Sequence, residues 1–139
     1  MKIYQDIASL LLRLALASGF LSAVASRLSL WGSHSSGWKS FLSYTGQVNS
    51  FLPQTMIPAV AVTSTILETT LGIMLLTGYK TSNAAIATAL LTLLFSAAMA
   101  YSSGIKEPLD YSVFAFSAGA FLLSTMPYYK WSIDQLLTK

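Results

Sequence analysis

Cysteine is absent from the 139 residues, and histidine occurs once, at His34. The first absence excludes disulfides, thiolate metal sites and dithiol redox chemistry on this chain. The second leaves too few imidazoles for a bis-histidine haem or a histidine-based metal cluster. Charge is scarce as well. Only 9% of residues are Asp, Glu, Lys or Arg, where soluble domains carry about 25%. Basic residues outnumber acidic ones by eight to five, but they are scattered, and no basic run points to nucleic acid. What fills the chain is apolar: 54% of residues are hydrophobic, and the mean hydropathy is +0.61. A short chain of this kind is one domain with lipid as its solvent.

Four apolar segments account for most of the length: Ile7–Val24, Met56–Gly78, Ala84–Tyr101 and Leu109–Met126. Each is about 18–23 residues, enough to cross a hydrocarbon core about 30 Å thick at 1.5 Å per residue. Gly78–Asn83, Ser102–Pro108 and Pro127 separate or end them. Pro58 falls in the first turn of the second segment, where a helix tolerates it. Ala23-Val24-Ala25 has the form of a signal-peptidase site, but Arg13 interrupts the preceding apolar region, so the first segment is expected to be retained. The fold expected is all-α: one domain over residues 1–139, a transmembrane four-helix antiparallel bundle with no space for a separate catalytic domain. Lys2, Lys80, Lys130 and Lys139 on one side, against Arg27, Lys39 and Lys106 on the other, favour cytoplasmic termini.

The first loop, Arg27 to Gln54, is the only long one. It begins WGSHSSGW, and Trp38, Phe41, Leu42, Thr45, Val48 and Leu52 then recur at helical spacing until Pro53. An amphipathic helix on the outer membrane surface is predicted, with Trp31, Trp38, Phe41 and Tyr44 as interfacial aromatics. It reads either as an aromatic anchor or as a lid over a cavity between the helices. His34 reads as a solvated loop residue.

Only Arg13 and Glu68 lie well inside the spans, where each charge costs roughly 2.5–3.5 kcal/mol on the insertion scale. Arg13 is about 9 Å into the first helix and Glu68 about 15 Å from the same face, a mismatch an arginine side chain can span. An Arg13–Glu68 ion pair between antiparallel neighbours is therefore expected. Ser9, Arg13 and Ala17, and likewise Ser64, Glu68 and Gly72, fall four apart on one helix face, where small and hydroxyl residues allow close approach. The pair reads as a staple between helices or as the polar centre of a substrate site. A second polar cluster, Arg27, Lys106, Asp110 and Tyr111, is expected at the outer face. There Asp110 either caps the fourth helix or pairs with Arg27 or Lys106.

LLRLALASGFLSAVASRLSLWG, the W-x2-F-x2-Y run, ILETTLGIMLLTGYKT, and AAM followed by GIKEPLDYSVFAFSAGA resemble the DoxX family, in a bacterial DoxX-like branch. The resemblance covers almost the whole chain. Its marks are Arg13, the Glu68-x3-Gly72 step, Gly104-Ile105-Lys106 and Pro108 to Ser112. It implies a four-helix protein of the bacterial inner membrane. Members of that family include the membrane subunit of a thiosulfate:quinone oxidoreductase and other associates of redox enzymes. It supplies no catalytic residues.

Two functions are consistent with this reading. One is a non-catalytic membrane subunit or assembly scaffold, holding a partner oxidoreductase at the bilayer. The other is a quinone- or small-lipid-binding protein with a polar site at Arg13 and Glu68. A transporter working as a homo-oligomer is a third. No covalently bound cofactor is expected. An open cavity reaching the buried charges favours the ligand; a filled bundle favours the scaffold.

Overall fold

A computed structural model describes residues 2–138. Met1 and Lys139, one of the cations in the orientation count, lie outside the described residues. The chain folds into helices α1 (Ile3–Arg27), α2 (Trp38–Val48), α3 (Ile57–Thr77), α4 (Thr81–Ser103), α5 (Lys106–Asp110), α6 (Val113–Ser124) and α7 (Ile133–Leu137). Two single-turn 3-10 segments, Gly32–His34 and Gln54–Met56, punctuate the long loop. The start of α1, α7 and the α3–α4 turn share one face, called here the terminal face. The α1–α3 and α4–α6 connections make the opposite, loop face.

α1, α4, and α3 together with its leading turn are long and apolar enough to cross a membrane. The fourth pass differs from the single span expected over 109–126. α6 has 12 residues, about 18 Å of helix, too short to cross alone. Ser112 takes a left-handed conformation (φ 56°) between α5 and α6 and breaks the helix there. Asp110 therefore belongs to the end of α5, not to the cap of a long fourth helix.

The core forms where small residues let helices close on one another. Ala17, Ala85 and Ala120 are fully buried, and Leu16, Phe20, Leu71, Leu75 and Leu123 fill the space between them. Both predicted faces are buried: Ser9, Arg13 and Ala17 on α1, and Ser64, Glu68 and Gly72 on α3. A Cβ on Gly72 would lie 2.9 Å from the Leu21 side chain, so this glycine sets how closely α1 and α3 approach.

The last segment, 125–138, folds back under the terminal face. Gly78, at φ 71°, closes α3, and the Asp134 carboxylate accepts hydrogen bonds from the backbone N–H groups of Lys80 and Thr81, each at 2.7 Å. These are two of the donors that the start of α4 leaves without helical partners. Asp134→Ala is expected to cost about 1–2 kcal/mol, the upper range for an N-cap, read as a lower unfolding midpoint in detergent. An unchanged midpoint would remove Asp134 from this role.

Candidate cavity and buried ion pair

Glu68 is partnered, but not by Arg13. Arg27, the last residue of α1, turns its side chain back along the bundle. Its Nη2 donates to Glu68 Oε1 at 3.0 Å and to Oε2 at 2.9 Å. Its Nη1 donates to the Thr65 hydroxyl at 3.2 Å, and that hydroxyl itself donates to the Ala61 carbonyl at 2.8 Å. The Phe41 ring covers the other side, its centroid 3.9 Å from the guanidinium carbon. The pair is almost dry: the side chains are 12% and 3% exposed.

Arg13 has a different partner altogether. Its Nη2 donates to the carbonyl of Trp131 at 2.6 Å, and its Nη1 to that of Lys130 at 3.4 Å. The expected Arg13–Glu68 pair is thus corrected. The depth count set Ile7 level with Gly78, but Arg13 itself lies at the level of Gly78 and Leu21 at that of Gly72, so Glu68 falls beside the last turns of α1 and within reach of Arg27. What decided the matter is the folded-back C-terminal segment, which offers Arg13 backbone carbonyls. The same segment brings Lys130 Nζ to within 3.1 Å of the buried Asp6 carboxylate.

The outer cluster also comes apart. Arg27 goes to Glu68. Lys106 and Asp110 pair with each other one turn apart on α5, both largely exposed, an arrangement usually worth well under ~1 kcal/mol. Tyr111 is exposed. Trp31 is half-exposed, with its indole N–H on the Ser22 carbonyl at 3.1 Å. His34 is exposed in its 3-10 turn.

α2 lies over the loop-face ends of α3 and α4, apolar side down. Thr45 and Val48 are buried beneath it, and Lys39, Ser40, Ser43 and Gln47 face away. Trp38 packs on Phe41 with ring centroids 5.5 Å apart. Tyr44 donates to Glu107 Oε1 at 2.8 Å. Burial first, then this bond and the carboxylate's charge, hold the Tyr44 phenol protonated well above its ordinary range. Glu107 had no role in the sequence reading, since a single carboxylate in a loop gives no sign of its partner.

Between α2, α3 and α4 lies a cavity of about 490 Å³. Phe41, Val48, Leu67, Leu91, Phe95 and Met99 make its apolar walls, and among the described residues Arg27 and Glu68 are its only charged groups. Most other polar groups around it are already engaged: the Thr45 hydroxyl donates to the Phe41 carbonyl, the Asn49 amide to Thr45, and the Ser64 hydroxyl to Ala61. Among the described residues no group of His, Asp and Glu is arranged to hold a metal ion. An apolar pocket with a few convergent polar groups is the ordinary form of a small-molecule site.

These features define a multi-pass helical membrane protein with a roofed cavity beside a buried ion pair. A family model described as Methylamine utilisation protein MauE matches residues 5–110, and the chain belongs to that family. The match runs from α1 to the end of α5 and contains Arg27, Glu68 and the α2 roof. It overturns the DoxX resemblance: none of the marks was a catalytic signature, and a step to a small residue such as Glu68-x3-Gly72 recurs wherever membrane helices pack closely, so it did not discriminate between families. No curated protein and no solved structure matches the chain.

Proposed function

We propose that the chain is a non-catalytic component of the bacterial inner membrane, with both termini cytoplasmic, that serves a redox system of the methylamine-utilisation type. Its cavity holds a small lipophilic molecule, a quinone or a lipid, beside Arg27 and Glu68. The family's printed name supports the methylamine-utilisation setting, and the distribution of Lys and Arg favours the orientation. The observation that carries the second is the cavity itself, which reaches the buried pair from beneath α2. It lies beneath a helix and beside a buried ion pair, the concave apolar form with a few polar groups that small-molecule sites take.

Purification from native membranes in mild detergent, followed by mass spectrometry of everything that co-elutes, tests both parts. The parent protein is expected to carry a lipophilic molecule and a subunit of an oxidoreductase. Ala98→Trp, which places a ring in the cavity wall, is expected to lose the molecule and keep the protein partner. Equal recovery of the molecule from both proteins, or none from the parent, would remove the ligand from the reading. Absence of any redox subunit would remove the partner.

A further inference from the structure

The roof of the cavity and its side wall are built differently. The roof is fastened. Tyr44 is tied to Glu107, as described. Ser50 reaches Ser102 Oγ through its N–H at 3.1 Å and through its hydroxyl at 2.9 Å, and the Ser102 hydroxyl donates to the Val48 carbonyl at 2.9 Å. Phe51 stands edge-on to Tyr101 with centroids 5.5 Å apart. These contacts link the C-terminal half of α2, and the turn after it, to α4 and α5.

The side wall has no such fastening. Among the described residues no side-chain hydrogen bond joins α3 to α4. Several of the residues that line the cavity there are also exposed: Ala59, Thr63, Leu67 at 42% and Leu94 at 67%. Leu67 lies ten residues into α3 and Leu94 nine residues before the end of α4, about 13–15 Å from the loop-face ends of those helices. At that depth the surroundings are acyl chains, so the exposure of these side chains is exposure to lipid.

The charge of the wall restricts what can occupy the space. Arg27 and Glu68 neutralise each other. An ammonium would compete with Arg27 for Glu68, and an anion would compete with Glu68 for Arg27. Either would have to be stripped of water in a low-dielectric space. The pair nevertheless keeps capacity for a neutral head group. Among the described residues Arg27 Nε meets no partner, and each Glu68 oxygen accepts only one bond, leaving lone pairs free.

We propose that the cavity is a lateral site for an uncharged, lipid-soluble molecule with a carbonyl or hydroxyl head, which passes between α3 and α4 from the bilayer while α2 stays fastened against water. This rests on the reading that the cavity holds a ligand, and it adds the route and the charge class.

Because the chain has no cysteine, a single nitroxide can be placed at Thr63→Cys, with Ala59→Cys as a second position should the first fail to fold. Electron paramagnetic resonance in phosphatidylcholine nanodiscs then reads collisions with oxygen, which enters lipid, and with a water-soluble nickel chelate. Oxygen collisions are expected to exceed nickel collisions several-fold. Comparable collisions would place the cavity in contact with water and overturn the lateral route. Four additives follow: a short-tailed benzoquinone, a monoacylglycerol, and an alkylammonium and an alkyl sulfate of matched tail. Either uncharged compound is expected to lower the oxygen collisions in a saturable manner, and which one does so tells a quinone from an acyl lipid. Equal protection by a charged compound would overturn the charge class. Protection by none, with the oxygen preference intact, would count against the ligand and leave the opening to lipid standing.

Discussion

Arg27→Ala will destabilise the protein by about 3–5 kcal/mol, the usual range when one partner of a buried ion pair is removed. The carboxylate it leaves behind has nowhere to go. Glu68 sits in the middle of α3 with its side chain 3% exposed, and its short stem cannot carry it to either membrane surface. Glu68→Ala will cost less, because Arg27 ends α1 and its long side chain can swing outward to the loop-face interface. Replacing both, as Arg27→Met with Glu68→Leu, will recover most of the loss, since a well-packed apolar pair often matches a buried ionic one. Unfolding in detergent of the parent, Arg27→Met, Glu68→Leu and the double variant gives the coupling energy directly. A parallel cycle on Arg13 and Glu68 will give additive losses within about 0.3–0.5 kcal/mol, as for sites with no shared partner. If the coupling falls instead between Arg13 and Glu68, the arrangement of the ion pair is wrong, and with it the charge on the cavity wall.

The contrast between the two arginines also marks what was legible in the sequence. α1, α3 and α4 were visible because length and apolarity alone define a span. The roof helix was visible because Trp38, Phe41, Thr45 and Val48 recur at a helical period, but it ends at Val48, short of the Leu52 and Pro53 at which its end was expected. Glu68 stood out as a carboxylate within an apolar run, and it does line the cavity. The hidden parts all depend on contacts distant along the chain. Arg27 pairs across 41 positions, and Arg13 finds backbone carbonyls 117 and 118 positions away. A backbone carbonyl has no residue type, so no pattern announces it as a partner. The break at Ser112 was missed for a related reason. A left-handed serine costs about 1–2 kcal/mol, but no residue type announces it, and the apolar run on either side reads as continuous.

Arg13→Met is expected to release the C-terminal segment while leaving the cavity intact. The guanidinium makes one short charge-assisted bond, to Trp131, and one long one, to Lys130. Hydrogen bonds to charged groups contribute about 1.5–3 kcal/mol each, so a loss of about 3 kcal/mol is expected with the longer bond counted as the weaker. The effect will be local before it is global. The segment is held to the bundle by Arg13, by the Lys130–Asp6 pair and by the Asp134 cap on α4. Losing the first weakens the turn from which Lys130 and Asp134 both project. Hydrogen exchange should therefore rise at residues 130–134 and at the start of α4, and protease should reach the Pro127–Ser132 stretch. Arg13→Lys will be intermediate, since an ammonium is a compact point charge without the planar fork that serves two carbonyls at once. Lys130→Met leaves both carbonyls for Arg13 but strands the buried Asp6 carboxylate and removes a second tie of the same segment, so exchange at residues 130–134 should rise there too. Throughout this series collisions at the Thr63 nitroxide should stay constant, because the cavity and the C-terminal seam lie at opposite ends of the bundle. If Arg13→Met alters the cavity while the seam stays protected, the two arginines have exchanged the roles given to them here.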